Sequence, residues 1–322
     1  MRLPTACRLL LGLLLLGPLA LSVQPRTAGA AEQTCDRSCL QSFVDQYLKA
    51  LVAHDPYKAG FGAGVRITEN GQRLGLGYGL WKTASGDSSY RLYAADPQKG
   101  EVAFVGVLKE VGLPVIVAVR LKIEHNQIME TESIVSRPRD PAMANPAAFR
   151  TPDPLFTTAL PPAKRVSREE MIKIADSYFT GLESDRSGKN VPFDDLCQRR
   201  ENGIETARSS DPKASPMAKM GCKAQFDTGF SKLITAVRER RFPVVDEERG
   251  LVFSVVLFDH AGNVESYTQP DGQVVPITSP MFRRPMTLLI GELFHIEGGR
   301  IRQIEAVLQE APYRMPSGWG EK

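Results

Sequence analysis

The chain reads as an α+β protein built from two tandem copies of one unit, each an amphipathic helix followed by a curved antiparallel sheet that the helix covers. Three observations give this. Leu40, Phe43, Val44, Tyr47, Leu48 and Leu51 recur at helical spacing, and so do Met171, Ile174, Ala175, Tyr178, Phe179 and Leu182. Each helix precedes a block of β-rich sequence cut by turn residues. Between helix and strands the first block carries Glu69-Asn70-Gly71 and the second Glu201-Asn202-Gly203. The match continues in order along the chain. Asp45, Tyr47 and Leu51 fall on Asp176, Tyr178 and Leu182, Arg91 to Asp96 on Arg241 to Asp246, and Ile123-Glu124 on Ile296-Glu297. Ordered coincidences of this kind indicate an internal duplication.

The organisation that follows is a signal peptide at 1–31, repeat 1 at 32–137, a Pro-rich linker at 138–163, repeat 2 with two loop insertions at 164–315, and a tail at 316–322. Arg2 and Arg8 precede or flank the apolar run Leu9 to Leu16, and Ala28-Gly29-Ala30-Ala31 supplies a small-residue cleavage site, the order of a secretory signal. Its apolar run is short and interrupted by Gly17-Pro18, so no stable membrane span is expected after its removal. The expected location is secreted or periplasmic.

The formal charge of +3 includes Arg2, Arg8 and Arg26 of the leader, so the remaining chain is neutral by count and gives no electrostatic reason to bind nucleic acid. Cys7 leaves with the leader. Four cysteines remain, which suits two disulfides in an oxidising compartment and permits three connectivities. The local pairing, Cys35 with Cys39 and Cys197 with Cys222, is favoured because each pair lies within one unit and C-x₃-C spans one helical turn. With no histidine beside either pair, a metal site is not expected, and no cofactor motif is present.

Taken in order, the first helix ends at His54-Asp55-Pro56, and Val65-Arg66-Ile67 alternates as a strand delivering Glu69 and Asn70. Gly75, Gly77 and Gly79 mark a bend rather than a phosphate loop, because no helix signal follows. Strands are expected from Tyr90 to Ala94, Glu101 to Lys109, Val115 to Ile123 and Gln127 to Val135. Proline density from Arg137 to Ala163 predicts an extended linker. Ser167 and Glu170 form a capping box ahead of the second helix. The insertions of repeat 2, Ile204 to Cys222 and Ala261 to Arg284, enter at loops where binding groups often reside, so the second unit is the expected functional one.

The residues Cys35-Asp36-Arg37, Phe43 to Leu48, Thr68 to Gly71, Arg241 to Gly250 and Pro312-Tyr313 carry a resemblance. The chain resembles a secreted tandem member of the SnoaL-like, or nuclear-transport-factor-2-like, superfamily with no assigned function. The resemblance implies two cone-shaped half-barrels, each closed by N-terminal helices around an internal cavity. It implies no single activity, because members include isomerases, dehydratases, hydrolases, cyclases and non-catalytic partners.

Within such a cone an inward carboxylate is costly to desolvate, and its pKa rises toward a range useful for proton transfer. Glu201 is the leading acid or base, with Asn202 as donor to a carbonyl oxygen, Tyr178 as a hydroxyl contact and His260 at the pocket mouth. Each has a plain structural reading too: a turn for Glu-Asn-Gly, core packing for Tyr178 and Tyr47, an exposed loop for His260. Binding candidates in repeat 1 are Glu69, Asn70 and Tyr47, and Arg240, Arg241 and Asp246 could form an ion pair at the rim. His295 alternates with Phe294 and Ile296 and points into or out of the barrel. The functional expectation is an exported protein binding an apolar small molecule, with cofactor-independent isomerase, dehydratase or hydrolase chemistry. The alternative is a ligand carrier or protein-interaction module, and the tandem copies are expected to form a pseudo-dimer within one chain.

Overall fold

A computed structural model describes residues 35–87, 90–137 and 144–320. The expected signal peptide lies outside the described residues. Helix α1 (Arg37–Val52) starts at Asp36, whose carboxylate accepts from the Cys39 amide at 2.9 Å. It leads into β1 (Phe61–Glu69), β2 (Gln72–Arg73), the single turn α2 (Leu80–Thr83), β3 (Ala84–Gly86), β4 (Arg91–Asp96), β5 (Glu101–Glu110), β6 (Leu113–Glu124) and β7 (Gln127–Ser136). After the short α3 (Pro154–Thr157), α4 (Arg168–Glu183) opens the second series: β8 (Phe193–Glu201), β9 (Ile204–Ala207), α5 (Pro216–Lys219), α6 (Cys222–Asp227), β10 (Ala236–Asp246) and β11 (Leu251–His260). A small hairpin of β12 (Ser266–Thr268) and β13 (Val274–Pro276) precedes the long strands β14 (Met286–Glu297) and β15 (Arg300–Ala311). Ser167 caps α4 through the Glu170 amide at 3.3 Å, whereas the Glu170 carboxylate lies 3.7 Å from Lys173.

The fold is α+β with few helices. The first sheet is a strongly curled half-barrel of order β2-β1-β7-β6-β5, with β3 and β4 both paired to β5; the second runs β9-β8-β15-β14-β11-β10. The two orders correspond strand for strand, and in each the first long strand is parallel to the last, β1 to β7 and β8 to β15. The sheets are therefore mixed and not the purely antiparallel ones expected, because the last strand of each meander returns to lie beside the first. Helix α1 packs its apolar stripe on one face of the first sheet, and α4 does the same on the second.

The other faces meet. Leu92, Val105 and Ile116 from the first sheet share a core with Phe253, Val255 and Leu293 from the second. Strands β11 and β14 are therefore apolar on both faces, which explains their nearly continuous hydrophobic sequence. The sheets come closest at Gly291: a Cβ there would lie 2.9 Å from Phe253, 3.1 Å from Ile134 and 3.2 Å from Ala118. Two reciprocal ion pairs flank this core. Arg37 at the start of α1 forks onto Asp246 with two bonds of 2.6 Å, and Arg168 at the start of α4 forks onto Asp96. Each aspartate also accepts a main-chain amide from the other series, Asp246 from Ala95 at 3.1 Å and Asp96 from Val245 at 3.0 Å.

Two further expectations are corrected here. Arg241 and Asp246 do not pair with each other: Arg241 goes to Glu132 across the two series, at 2.5 Å, and Asp246 goes to Arg37. Nor is the Pro-rich stretch a free linker, because Ala144, Phe149, Phe156 and Leu160 are buried and the first three join the inter-sheet core. Its prolines exclude helical periodicity yet begin short turns at Pro146, Pro154 and Pro162, which aim those side chains inward. Asp246→Ala is expected to destabilise the chain by about 2–3 kcal/mol, by stranding Arg37 and unpairing the Ala95 amide. Urea denaturation measures this, and an effect near zero would mean that the pair does not hold the sheets.

Candidate functional site

The second unit contains a hollow of about 410 Å³, and three of the four catalytic candidates line it: Tyr178 from α4, Glu201 from β8 and His260 from the end of β11. Much of the wall is apolar, with Leu182, Phe230, Leu233, Phe258, Phe282 and Leu288 on it. Both insertions reach its rim. Met217 comes from the loop that the Cys197–Cys222 disulfide ties to β8, and Phe282 from the second insertion. The other disulfide joins Cys35 to Cys39, so the sequence-local pairing is the one formed, and both bridges suit an oxidising compartment.

The polar centre of the hollow is Arg199, which the sequence reading passed over. Residues 197, 199 and 201 of β8 share one face, so the inward Cys197 places Arg199 and Glu201 inside with it. The guanidinium is buried. Its Nε donates to Thr206 at 3.0 Å and lies 3.2 Å from Glu201, one terminal nitrogen donates to Tyr178 at 3.2 Å, and the other to Gln225. Burial opposes its charge, and the surrounding Tyr178, Glu201 and Glu292 more than offset this, holding its pKa above the ordinary arginine value. Gln225 is itself fixed, its amide nitrogen donating to the carbonyls of Thr206 at 2.7 Å and Met217 at 3.1 Å. Helix α6, which carries Gln225, begins at the disulfide cysteine Cys222, so the bridge also holds the arginine's partner in place.

Behind this group stands Glu292 of β14, fully buried, with one carboxyl oxygen lacking a hydrogen-bond partner among the described residues. Burial, with Glu201 adding to it and Arg199 opposing, pushes its pKa up to about 8. Glu292 is thus a desolvated carboxyl that the sequence reading did not single out. The signal was the parity of Glu292 with Ile290 and Phe294, which hid an acid inside an apolar strand. Burial likewise drives the Tyr178 hydroxyl well above its ordinary pKa, so it stays protonated. His260 is held neutral, its pKa lowered to about 4 chiefly by burial. His295 faces the inter-sheet layer instead, its ring 6.3 Å from Phe156.

Asn202 does not serve the hollow. It and Gly203 both take positive φ, 46° and 79°, in the two-residue turn of the β8–β9 hairpin. The Asn202 amide accepts from the Leu308 amide at 3.0 Å and donates to the Leu308 carbonyl at 3.0 Å, clipping β8 to β15. Asn70 repeats this on Val135 at 2.7 and 3.1 Å, so the structure uses both asparagine amides to clip strands rather than turning them into the hollow. The glycines have a reason too. A Cβ at Gly203 would lie 2.3 Å from the Asn145 carbonyl, and one at Gly71 would lie 2.6 Å from Met315. The segment leaving each sheet thus crosses the Asn-Gly turn of the other.

The first unit keeps the frame and packs a tryptophan against its helix. Between β2 and β4 its chain carries Trp81, buried with its ring 5.3 Å from Tyr47 and 5.6 Å from Phe61. Glu69 accepts from the Leu80 amide at 2.7 Å and from Arg137 at 2.8 Å, so neither Glu69, Asn70 nor Tyr47 is presented as a binding group. By strand register Ile67 and Val119 stand where the second unit has Arg199 and Glu292. The fold does not require the buried arginine and acid.

Residues 164–308 match the family model of a domain of unknown function, DUF8021, a stretch that begins just before α4 and ends within β15, enclosing the hollow. No curated protein matches the chain.

Glu292 makes a testable contribution to stability. Its folded pKa of about 8 exceeds the ordinary value of 4.5, so the folded chain holds a proton that the unfolded chain releases. The proton-linked stability is full below about pH 4.5 and is lost as pH rises toward 8. Glu292→Gln removes this share of the slope, and thermal melts from pH 5 to 9 should show the variant gaining on the wild type as pH rises. Parallel curves would mean that Glu292 is ionised. Glu305, also buried and raised to about 8, retains its own share in both chains.

Proposed function

We propose that the second unit is the ligand site of a SnoaL-like cone in an exported protein, where Glu201 exchanges a proton with an apolar carbonyl compound without a cofactor. The observation that carries this reading is the Glu201 carboxylate 3.2 Å from a buried Arg199 on the wall of an otherwise largely apolar hollow. Removal of a proton beside a carbonyl places negative charge on its oxygen, and a preorganised guanidinium in a site of low polarity stabilises that charge. Glu201 is the base, and Arg199 is the oxyanion partner. Tyr178 and Gln225 hold the guanidinium. The chemistry is that of isomerisation or dehydration, in which one carboxylate removes a proton and returns it elsewhere. The curled sheet, the helix on each inner face and the matching strand orders support two tandem cones joined as a pseudo-dimer within the chain. The two disulfides support export.

A second reading, a carrier that holds an apolar ligand without turnover, is favoured by the extent of the apolar wall. Hydrogen exchange separates the two. In deuterated buffer the protein is expected to accelerate exchange of the α-protons of 2-tetralone or 2-decanone, followed by proton NMR. Glu201→Gln should lower that rate by about 100-fold or more with little change in melting temperature. Binding of either ketone without exchange would leave the carrier reading.

A further inference from the structure

His260 is a polar group in the hollow that proton transfer at Glu201 does not use. It is 4% exposed, and its Nδ1 lies 3.0 Å from the Leu233 carbonyl. A carbonyl only accepts, so Nδ1 carries the proton and Nε2 keeps a lone pair. Nε2 is buried and has no hydrogen-bond partner among the described residues. The nearest ring is that of Phe282, 5.2 Å away between centroids, which supplies no donor. A buried acceptor without a donor is uncommon and calls for an occupant. The first unit shows the contrast. By register Glu110 stands in the place of His260, and its carboxylate is taken up by Arg137 and Thr83.

Arg199 supplies the opposite kind of group. Three hydrogen bonds, to Thr206, Tyr178 and Gln225, use three of the five guanidinium N–H donors, leaving donors for a ligand. Strands β11 and β8, which carry the two residues, are separated by β14 and β15. By register Arg199 lies level with Val252, eight residues from His260 along β11, so acceptor and donors stand at separate places on the wall of the one hollow that both line. Between them the lining is apolar, with Phe258, Leu288 and Ile290 on the sheet itself.

We infer that the cavity takes an apolar molecule with a polar group at each end, an acceptor oxygen held by Arg199 and a hydroxyl or N–H that donates to Nε2 of His260. His260 is then a specificity-determining residue that selects hydroxylated ligands. It remains a neutral acceptor and moves no proton. This rests on the reading of the hollow as a ligand site and narrows the class of ligand.

The test is calorimetric titration of the full mature chain with 2-decanone and with 10-hydroxy-2-decanone, which differ only in the distal hydroxyl. The wild type is expected to bind the hydroxyketone about three- to tenfold more tightly. His260→Phe should bring the two ketones to the same affinity, and His260→Gln, which keeps an acceptor oxygen, should retain part of the preference. His260→Leu replaces the Phe variant if the larger ring prevents folding. Equal affinities in the wild type, or a preference that survives loss of the acceptor, would overturn the inference while leaving the ligand site standing. Binding of neither ketone would overturn both.

Discussion

The contact on which the rest depends is the face-to-face packing of the two sheets. It requires β5, β6, β11 and β14 to be apolar on both sides, and it requires a residue without a side chain at Gly291, where Phe253, Ile134 and Ala118 close in. Burying this layer orders both sheets at once, so neither has to be stable with one apolar face in water. The Arg37–Asp246 and Arg168–Asp96 pairs then fix how the sheets are set, because each joins the start of one helix to a strand of the other series. Their exchange is that of an isologous interface, in which the same residues serve on both sides. The crossing of each Asn-Gly turn by the segment leaving the other sheet has the same character.

With the frame held by the shared layer, the two inner faces are free to differ. One packs Trp81 against Tyr47 and has apolar Ile67 and Val119 where the other has ionisable side chains. The other leaves a hollow and buries Arg199 and Glu292, groups whose desolvation lowers stability unless they are well paired. The charge is retained where the hollow is, and the acid beside it is protonated by its surroundings. Buried charge of this kind is a departure from local consistency, and the equivalent positions of the first series, Ile67 and Val119, are apolar.

Much of this was visible in the residues alone. Both helices, their buried stripes and the long strands lie close to where periodicity puts them, and both disulfides join the cysteines that proximity favoured. Recurrence of Glu-Asn-Gly marked a true landmark. Its meaning was only partly readable: the asparagine clip and the glycine contact involve Leu308, Val135, Asn145 and Met315, all distant in sequence. Proline density was misleading for a related reason. It argues against regular structure but says nothing about whether Phe149 and Phe156 find a core elsewhere in the chain.

The sequence by itself determined the duplicated helix-and-sheet pattern, because local periodicity sets which face of each element is apolar, and it marked where the second copy carries insertions. Only the tertiary structure decided which equivalent groups face a hollow and which are consumed by neighbours. Glu69 and Glu201 stand in the same motif, yet one is bound by Arg137 and the Leu80 amide while the other shares a wall with Arg199. That difference comes from side chains brought together across strands and loops, and no spacing along the chain encodes it.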